Sequence, residues 1–222
     1  MNTYNSASVE NFIKTIYQFE DREDFDTRSG SIARELGITN AATTDMARKL
    51  AQKKLINYEK YKELSLTESG KKLAKEIIRK HRLWETFLHE VLGLTLHEIH
   101  REAELLEHAT SGFLLDKIDR FLGNPSLDPH GEPIPDKNGD FQPAGECLSL
   151  SAAIAGNEYE ICRLIGSNKE FYDFCSENRL HIGSQLRLNN QYIQSKMTEI
   201  IIQESKLLLN AEWSRFIFVK TL

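Results

Sequence analysis

Long apolar runs are missing from this 222-residue chain. No stretch of about 18 consecutive apolar residues occurs, so a membrane-spanning helix is not expected. The opening MNTYNSASVENF lacks the basic-then-apolar order of a signal peptide, and a cytoplasmic protein is the expectation. Cysteine is scarce: Cys147, Cys162 and Cys175 are an odd number without CxxC spacing. A disulfide framework is therefore not expected, and buried or idle thiols are. No HExxH motif is present, which leaves a metal-dependent hydrolase only as a remote alternative. Neither internal repeats nor low-complexity tracts occur. With 40% hydrophobic and 27% charged residues, the chain can bury one large core or two to three small ones.

Histidine, by contrast, is concentrated. Five of the seven histidines fall between His81 and His108, interleaved with carboxylates as His81-x3-Glu85 and His100-x3-Glu104-x2-Glu107-His108. Spacings of three or four place side chains on one helix face, and neutral imidazole with carboxylate suits divalent first-row metals. A solvated polar face would be served by Glu and Lys alone. His89 and His97 are expected at the surface, as are His130 and His181.

Charge is uneven. Residues 40–80 hold 11 basic and 5 acidic side chains within a chain whose net charge is −5. A local net of +6 is the footprint of a surface that neutralises phosphates. The order of elements around it is specific. Val9, Phe12, Ile13, Ile16 and Tyr17 recur at helical intervals; a short helix is expected near Ser31–Leu36, a turn at Gly37–Thr39, and a third helix over about Asn40–Lys53. Ala33, Leu36, Ile38, Met46 and Leu50 supply a small core. Two strands over Leu55–Leu66, with a polar tip at Glu59–Glu63, make a wing, and Thr67 is placed to cap the next helix. This is a winged helix-turn-helix. Its third helix carries Thr43, Thr44, Asp45, Arg48 and Lys49 at positions expected to be exposed. Thr39, Ala41, Thr44 and Asp45 are candidates for base edges, and Arg48, Lys49, Lys53, Lys60 and Lys62 for phosphates.

All five prolines lie between Pro125 and Pro143, among four glycines, so residues 123–146 are expected to be a linker. Beyond it, β-rich runs at Glu158–Ile165, Ile182–Leu188, Thr198–Gln203 and Phe216–Val219 point to a small β-barrel.

The winged helix, then Leu64–Gly70, Lys80-His81-Arg82-x-x-Glu85, Glu104-x-x-Glu107-His108 and Pro129–Pro135 in this order resemble the diphtheria-toxin-repressor family of metal-dependent transcriptional regulators. The resemblance covers nearly the whole chain. It implies a DNA-binding domain over 1–72, a helical metal-binding and dimerisation domain over 73–122, the linker over 123–146, and an SH3-like domain over 147–222 related to ferrous-transport accessory domains. It also implies a primary metal site of Glu104, Glu107 and His108 with Asn11 of the first helix, and an ancillary site of His81, Glu85 and His100 that Glu170 can extend. Asn11 departs from the Met or Asp usual at its position. Lys14 stands where manganese-type members use a carboxylate.

With oxygen and nitrogen donors and no sulfur, the primary site leans to Mn²⁺, with Fe²⁺ as the alternative and up to two ions per subunit. The expectation is a homodimeric repressor that binds palindromic operators of metal-uptake genes once metal ties the first helix to Glu104, Glu107 and His108. A storage protein would explain the histidines but leave the winged helix unused.

Overall fold

A computed structural model of the chain describes residues 6–20, 25–142, 145–166 and 168–222. Pro143 of the expected linker lies outside them. The chain divides into two compact units: Met1–His81 with Ala103–Lys117 and Pro135–Asp140, and Arg82–Glu102 with Ile118–Ile134 and Phe141–Leu222. No helix among the described residues is long and apolar enough to cross a membrane.

In the first unit, helices α1 (Ala7–Glu20), α2 (Ser29–Glu35) and α3 (Asn40–Gln52) precede an antiparallel pair, β1 (Ile56–Asn57) and β2 (Ser65–Leu66), and helix α4 (Glu68–Leu92) begins there. The helical spacing of α1 turns Val9, Phe12, Ile13 and Ile16 onto Ile32, Ala47, Leu50, Ile56, Leu64 and Leu66. Each such side chain contributes about 1.5–3 kcal/mol when fully buried. Thr39 caps α3 by accepting a hydrogen bond from the Ala42 amide at 3.1 Å. Thr67 caps α4 by accepting from the Gly70 amide, also at 3.1 Å. Gly37 turns the chain between α2 and α3 at φ +63°, a conformation that costs glycine little. Two expectations fail. Ile38 is 40% exposed instead of core, and Thr43 is buried on α3, its hydroxyl donating back to the Thr39 carbonyl at 3.1 Å. Thr43 sits three residues after Asn40 and four before Ala47, on the packed side of the helix.

The first unit also receives the end of helix α5 (Leu96–Leu106) and most of helix α6 (Gly112–Phe121). In the second unit, strands β3 (Leu148–Ser149), β4 (Glu158–Leu164), β5 (Gln185–Tyr192), β6 (Met197–Ile202), β7 (Ser205–Asn210) and β8 (Ile217–Thr221) form one antiparallel sheet in the order β3-β8-β4-β5-β6-β7. Helices α7 (Lys169–Glu177) and α8 (Ala211–Phe216) accompany it. Alternation in the strands sends Tyr159, Ile161, Leu186, Leu188, Ile200, Leu209, Ile217 and Val219 into a core with Leu150, Phe171 and Leu180. A helical N-terminal two-thirds and a small β-rich end are thus as expected, but the barrel is not closed. The sheet ends at β3 and at β7, each paired on one side.

The cysteines also depart from expectation. Cys147 and Cys162, 15 residues apart in sequence, form a disulfide; Cys147 immediately precedes β3 and Cys162 sits at the irregularity of β4 between Ile161 and Arg163. Cys175 is the buried thiol that was expected, and burial pushes it up to about 12.

Among its described residues, the segment expected as a linker carries no helix, and it is paired through an isolated bridge between Leu127 and Pro133. It is nonetheless tightly folded. Asp128 Oδ1 accepts hydrogen bonds from the amides of His130 and Glu132, each at 2.9 Å. Gly131 adopts φ +84°, and a Cβ there would meet the Cys162 carbonyl oxygen at 2.1 Å. His130, expected at the surface, is buried as a result.

Candidate metal centre

The first unit gathers polar groups from three helices. Glu10 and Lys14, one turn apart, lie on one face of α1; Glu104 lies on α5, with Glu107 and His108 just past its end; His81 comes from α4. Lys14 Nζ donates to Glu104 Oε1 at 2.5 Å and to Glu107 Oε1 at 2.7 Å. Glu107 has no exposed surface, and its second oxygen lies 2.6 Å from His81 Nδ1. His108 stands between two carboxylates: its Nδ1 is 2.6 Å from Glu10 Oε2 and its Nε2 is 3.4 Å from Glu107 Oε1.

Three carboxylates converge here on one ammonium and two imidazoles. Burying carboxylates away from water is costly unless cations and hydrogen bonds compensate them. Among the described residues of α1 and those just past the end of α5, the buried atoms Asn11 Oδ1 and His108 Nε2 make no hydrogen bond. Glu104, Glu107 and His108 can each direct one donor atom to within 4.8 Å of the others. Two carboxylates and an imidazole with an unsatisfied nitrogen fit a divalent cation of intermediate hardness, and Asn11, next to Glu10 on α1, adds a buried amide oxygen without a hydrogen bond.

A second cluster lies in the other unit. Glu85 of α4, Asp128 and His130 are all buried, and their donor atoms also come within 4.8 Å of one another. His130 Nδ1 is 3.6 Å from Glu85 Oε2, and its Nε2 is 3.2 Å from the Leu96 carbonyl oxygen. His100 Nδ1 is 3.2 Å from Glu85 Oε1. Asp128 Oδ2 makes no hydrogen bond; it lies 3.7 Å from Nε of Arg82, whose Nη2 donates to Glu132 at 2.8 Å. Burial, then the charges of Glu85 and Glu132, push Asp128 up to about 7. For His130, burial favours the neutral ring, but the hydrogen bond and charge of Glu85 with the charges of Asp128 and Glu132 outweigh it, and the net shift is upward. Both shifts reduce the negative charge that Glu85, Asp128 and Glu132 would otherwise concentrate here, and Asp128 Oδ2 remains without a hydrogen bond.

The DNA-facing candidates all lie in the first unit. Ala41, Asp45, Arg48 and Lys49 are exposed along α3, and Asp45 pairs with Lys49 at 2.7 Å. Thr44 is half-buried and donates to the Asn40 carbonyl at 2.9 Å, while the Thr39 hydroxyl is engaged as the cap. Lys53 is exposed just beyond α3. Between β1 and β2, Lys60 lies 4.7 Å over the ring of the exposed Tyr61, and Lys62 pairs with Glu59 at 2.5 Å.

Two family models match the chain. The iron-dependent repressor N-terminal DNA-binding domain matches residues 5–64, and the iron-dependent repressor metal-binding and dimerisation domain matches residues 67–136. Together they span more than half of it. The chain belongs to the iron-dependent repressor family. It is 33% identical to the iron-dependent repressor IdeR of Mycobacterium bovis over 58% of this chain and 55% of that one. It is also 33% identical to the HTH-type transcriptional regulator MntR of Bacillus subtilis, over 51% and 78%. A solved manganese-dependent transcriptional repressor in complex with manganese matches at a TM-score of 0.90 and 28% identity, covering 96% of this chain and all of the other. The resemblance read from the motifs therefore holds: this is a metal-dependent transcriptional repressor, not an enzyme.

In this repressor the expected primary residues Glu104, Glu107 and His108 come together. Of the expected ancillary set, Glu85 and His100 meet in the second unit, and in the first His81 faces Glu107. Glu170 stands exposed on the first turn of α7, beside a groove lined by Asp173, Glu177 and Trp213. Glu10, Asp128 and His130 were not singled out as site residues. Glu10 is one of two adjacent polar residues on α1, and its spacing to Lys14 was the available signal. Asp128 and His130 sit among prolines and glycines, where no periodicity marks an inward side.

Proposed function

We propose that the chain is a homodimeric repressor that Mn²⁺ activates to bind palindromic operators of metal-uptake genes. The observation that carries this reading is the convergence of Glu104, Glu107 and His108 with the α1 residues Glu10 and Lys14. Glu104, Glu107, His108 and Asn11 would hold the ion, which supplies a point of positive charge. Glu104 and Glu107 repel one another when neither is compensated, and His108 and Asn11 each keep a donor atom without a hydrogen bond. Satisfying all four at once fixes α1 against the end of α5, and α1 packs directly on the core that carries α3. Occupancy then biases the reading helix toward its DNA-competent position, with a coupling of about 1–3 kcal/mol typical of such switches.

The donors favour Mn²⁺ over softer ions because none is sulfur, and the manganese-bound repressor with TM-score 0.90 supports the same choice. Fe²⁺ accepts the same donors, and a relative named for iron keeps it as the second reading. For a second ion, Glu85, Asp128 and His130 offer a better enclosed set than His81, Glu85 and His100, since all three are buried whereas His100 is exposed.

Fluorescence anisotropy of a palindromic promoter fragment, titrated with Mn²⁺, with Fe²⁺ under anaerobic conditions and with Zn²⁺, tests the proposal. Operator affinity should rise most steeply with Mn²⁺. DNA binding that ignores metal would refute the regulator, and a steeper response to Fe²⁺ would replace manganese with iron.

A further inference from the structure

The ammonium of Lys14 sits at the point the proposed metal needs. Its Nζ lies 2.5 Å from Glu104 Oε1 and 2.7 Å from Glu107 Oε1, and the side chain is 7% exposed. We propose that Lys14 is a resident cation of the metal site, which the incoming divalent ion must displace, so that this residue sets the metal concentration at which the repressor responds. The inference rests on the reading of Glu104, Glu107 and His108 as metal ligands.

The argument is one of shared space and charge. Divalent ions bind carboxylate oxygen at roughly 2.0–2.6 Å. A cation held by the same two oxygens as Lys14 Nζ cannot coexist with it at that point, and like charges at such short separation repel strongly. Lysine is suited to withdrawing: its charge is compact and rides on a flexible four-carbon stem. A carboxylate in its place would instead add a donor and raise affinity outright. In the metal-free chain, Lys14 compensates Glu104 and the fully buried Glu107, keeping α1 joined to the end of α5. Chains with Lys14 withdrawn are the metal-competent fraction, and the apparent affinity falls in proportion to that fraction. The same contact thus stabilises the empty repressor and holds back its activation.

Mn²⁺ titration by calorimetry into the full-length wild type, Lys14→Met and Glu107→Gln tests this. Lys14→Met should bind Mn²⁺ at least about tenfold tighter, with a lower melting temperature when metal-free and near-wild-type melting when loaded. A residue with a purely structural role would lose stability in both states without tighter binding. In the wild type, an amine-reactive reagent read by mass spectrometry should find Lys14 protected without metal and modified with it. Equal or weaker Mn²⁺ binding by Lys14→Met, or protection unchanged by metal, overturns the proposal while Glu107→Gln still abolishes the site. Unaltered Mn²⁺ binding by Glu107→Gln overturns the metal-site reading itself, and this inference with it.

Discussion

At the scale of single residues, the two clusters differ in what their acids do. Glu104, Glu107 and His108 are proposed to act only together with a cation, so removing one should abolish the switch without abolishing the DNA-binding surface. Glu104→Ala and His108→Ala are each expected to lose metal-stimulated operator binding while keeping weak metal-independent binding, measured by anisotropy with and without Mn²⁺. A full metal response from either variant would refute the ligand assignment. Asp128 gives a different prediction, because its carboxyl is pushed up to about 7, chiefly by burial. A raised carboxyl favours the folded state where it is protonated. The stability it contributes is complete below its unfolded value near 3.8 and is lost as pH rises through about 7. Metal-free protein should therefore lose on the order of a few kcal/mol between about pH 4 and 8 from this group, and Asp128→Asn should flatten that part of the pH profile in urea unfolding. The convergence of Glu104, Glu107 and His108 was legible because helical spacing and residue type agreed, whereas the contact of His81 with Glu107, across two helices, carried no such signal. Asp128 and His130 were not, because their enclosure depends on Gly131 passing close to the Cys162 carbonyl, a contact distant in sequence.

At the scale of elements, the helix-turn-helix was the most readable part of the chain. Apolar spacing in α1, the Gly37 turn and the Thr39 cap all follow local rules, and α3 begins at Asn40 as expected. The C-terminal sheet was read less completely. β7 was missed because its turn, Gln203 and Glu204, has φ of 45° and 67° without the Asn or Gly that normally signals such a hairpin. The two short helices of that unit, α7 and α8, were missed as well; both are capped by an asparagine, Asn168 and Asn210, amid runs that otherwise look β-rich. Within the wing, Lys62 is exposed and its pairing with Glu59 is a surface ion pair that contributes little to stability. Lys62→Ala should weaken operator and random DNA about equally and lower the slope of log affinity against log salt by about one, without altering the response to metal. A selective loss of operator binding would mean that Lys62 reads bases.

At the scale of the molecule, the proposed palindromic operator calls for two reading heads, and the first unit exposes apolar side chains suited to a second copy. Leu105, at the end of α5, is 68% exposed, and Phe113 and Leu114, at the start of α6, are 75% and 44% exposed. All three fall within the stretch matched by the metal-binding and dimerisation family model. Large apolar side chains left exposed in a stretch of this kind suit an association surface. Burying Phe113 against its counterpart is worth about 1.5–3 kcal/mol per copy, and an aspartate there adds the cost of desolvating a charge. Phe113→Asp should therefore shift the protein from dimer to monomer in sedimentation velocity. Because a half-site alone supports only weak binding, operator affinity should fall by more than about a hundredfold. Calorimetric Mn²⁺ affinity should change little, since Phe113 is on α6 and the donor atoms of the first cluster come from α1, α4 and the end of α5. Loss of metal binding together with loss of the dimer would show that the site needs the second copy; a dimer that persists in Phe113→Asp would move the interface off this face.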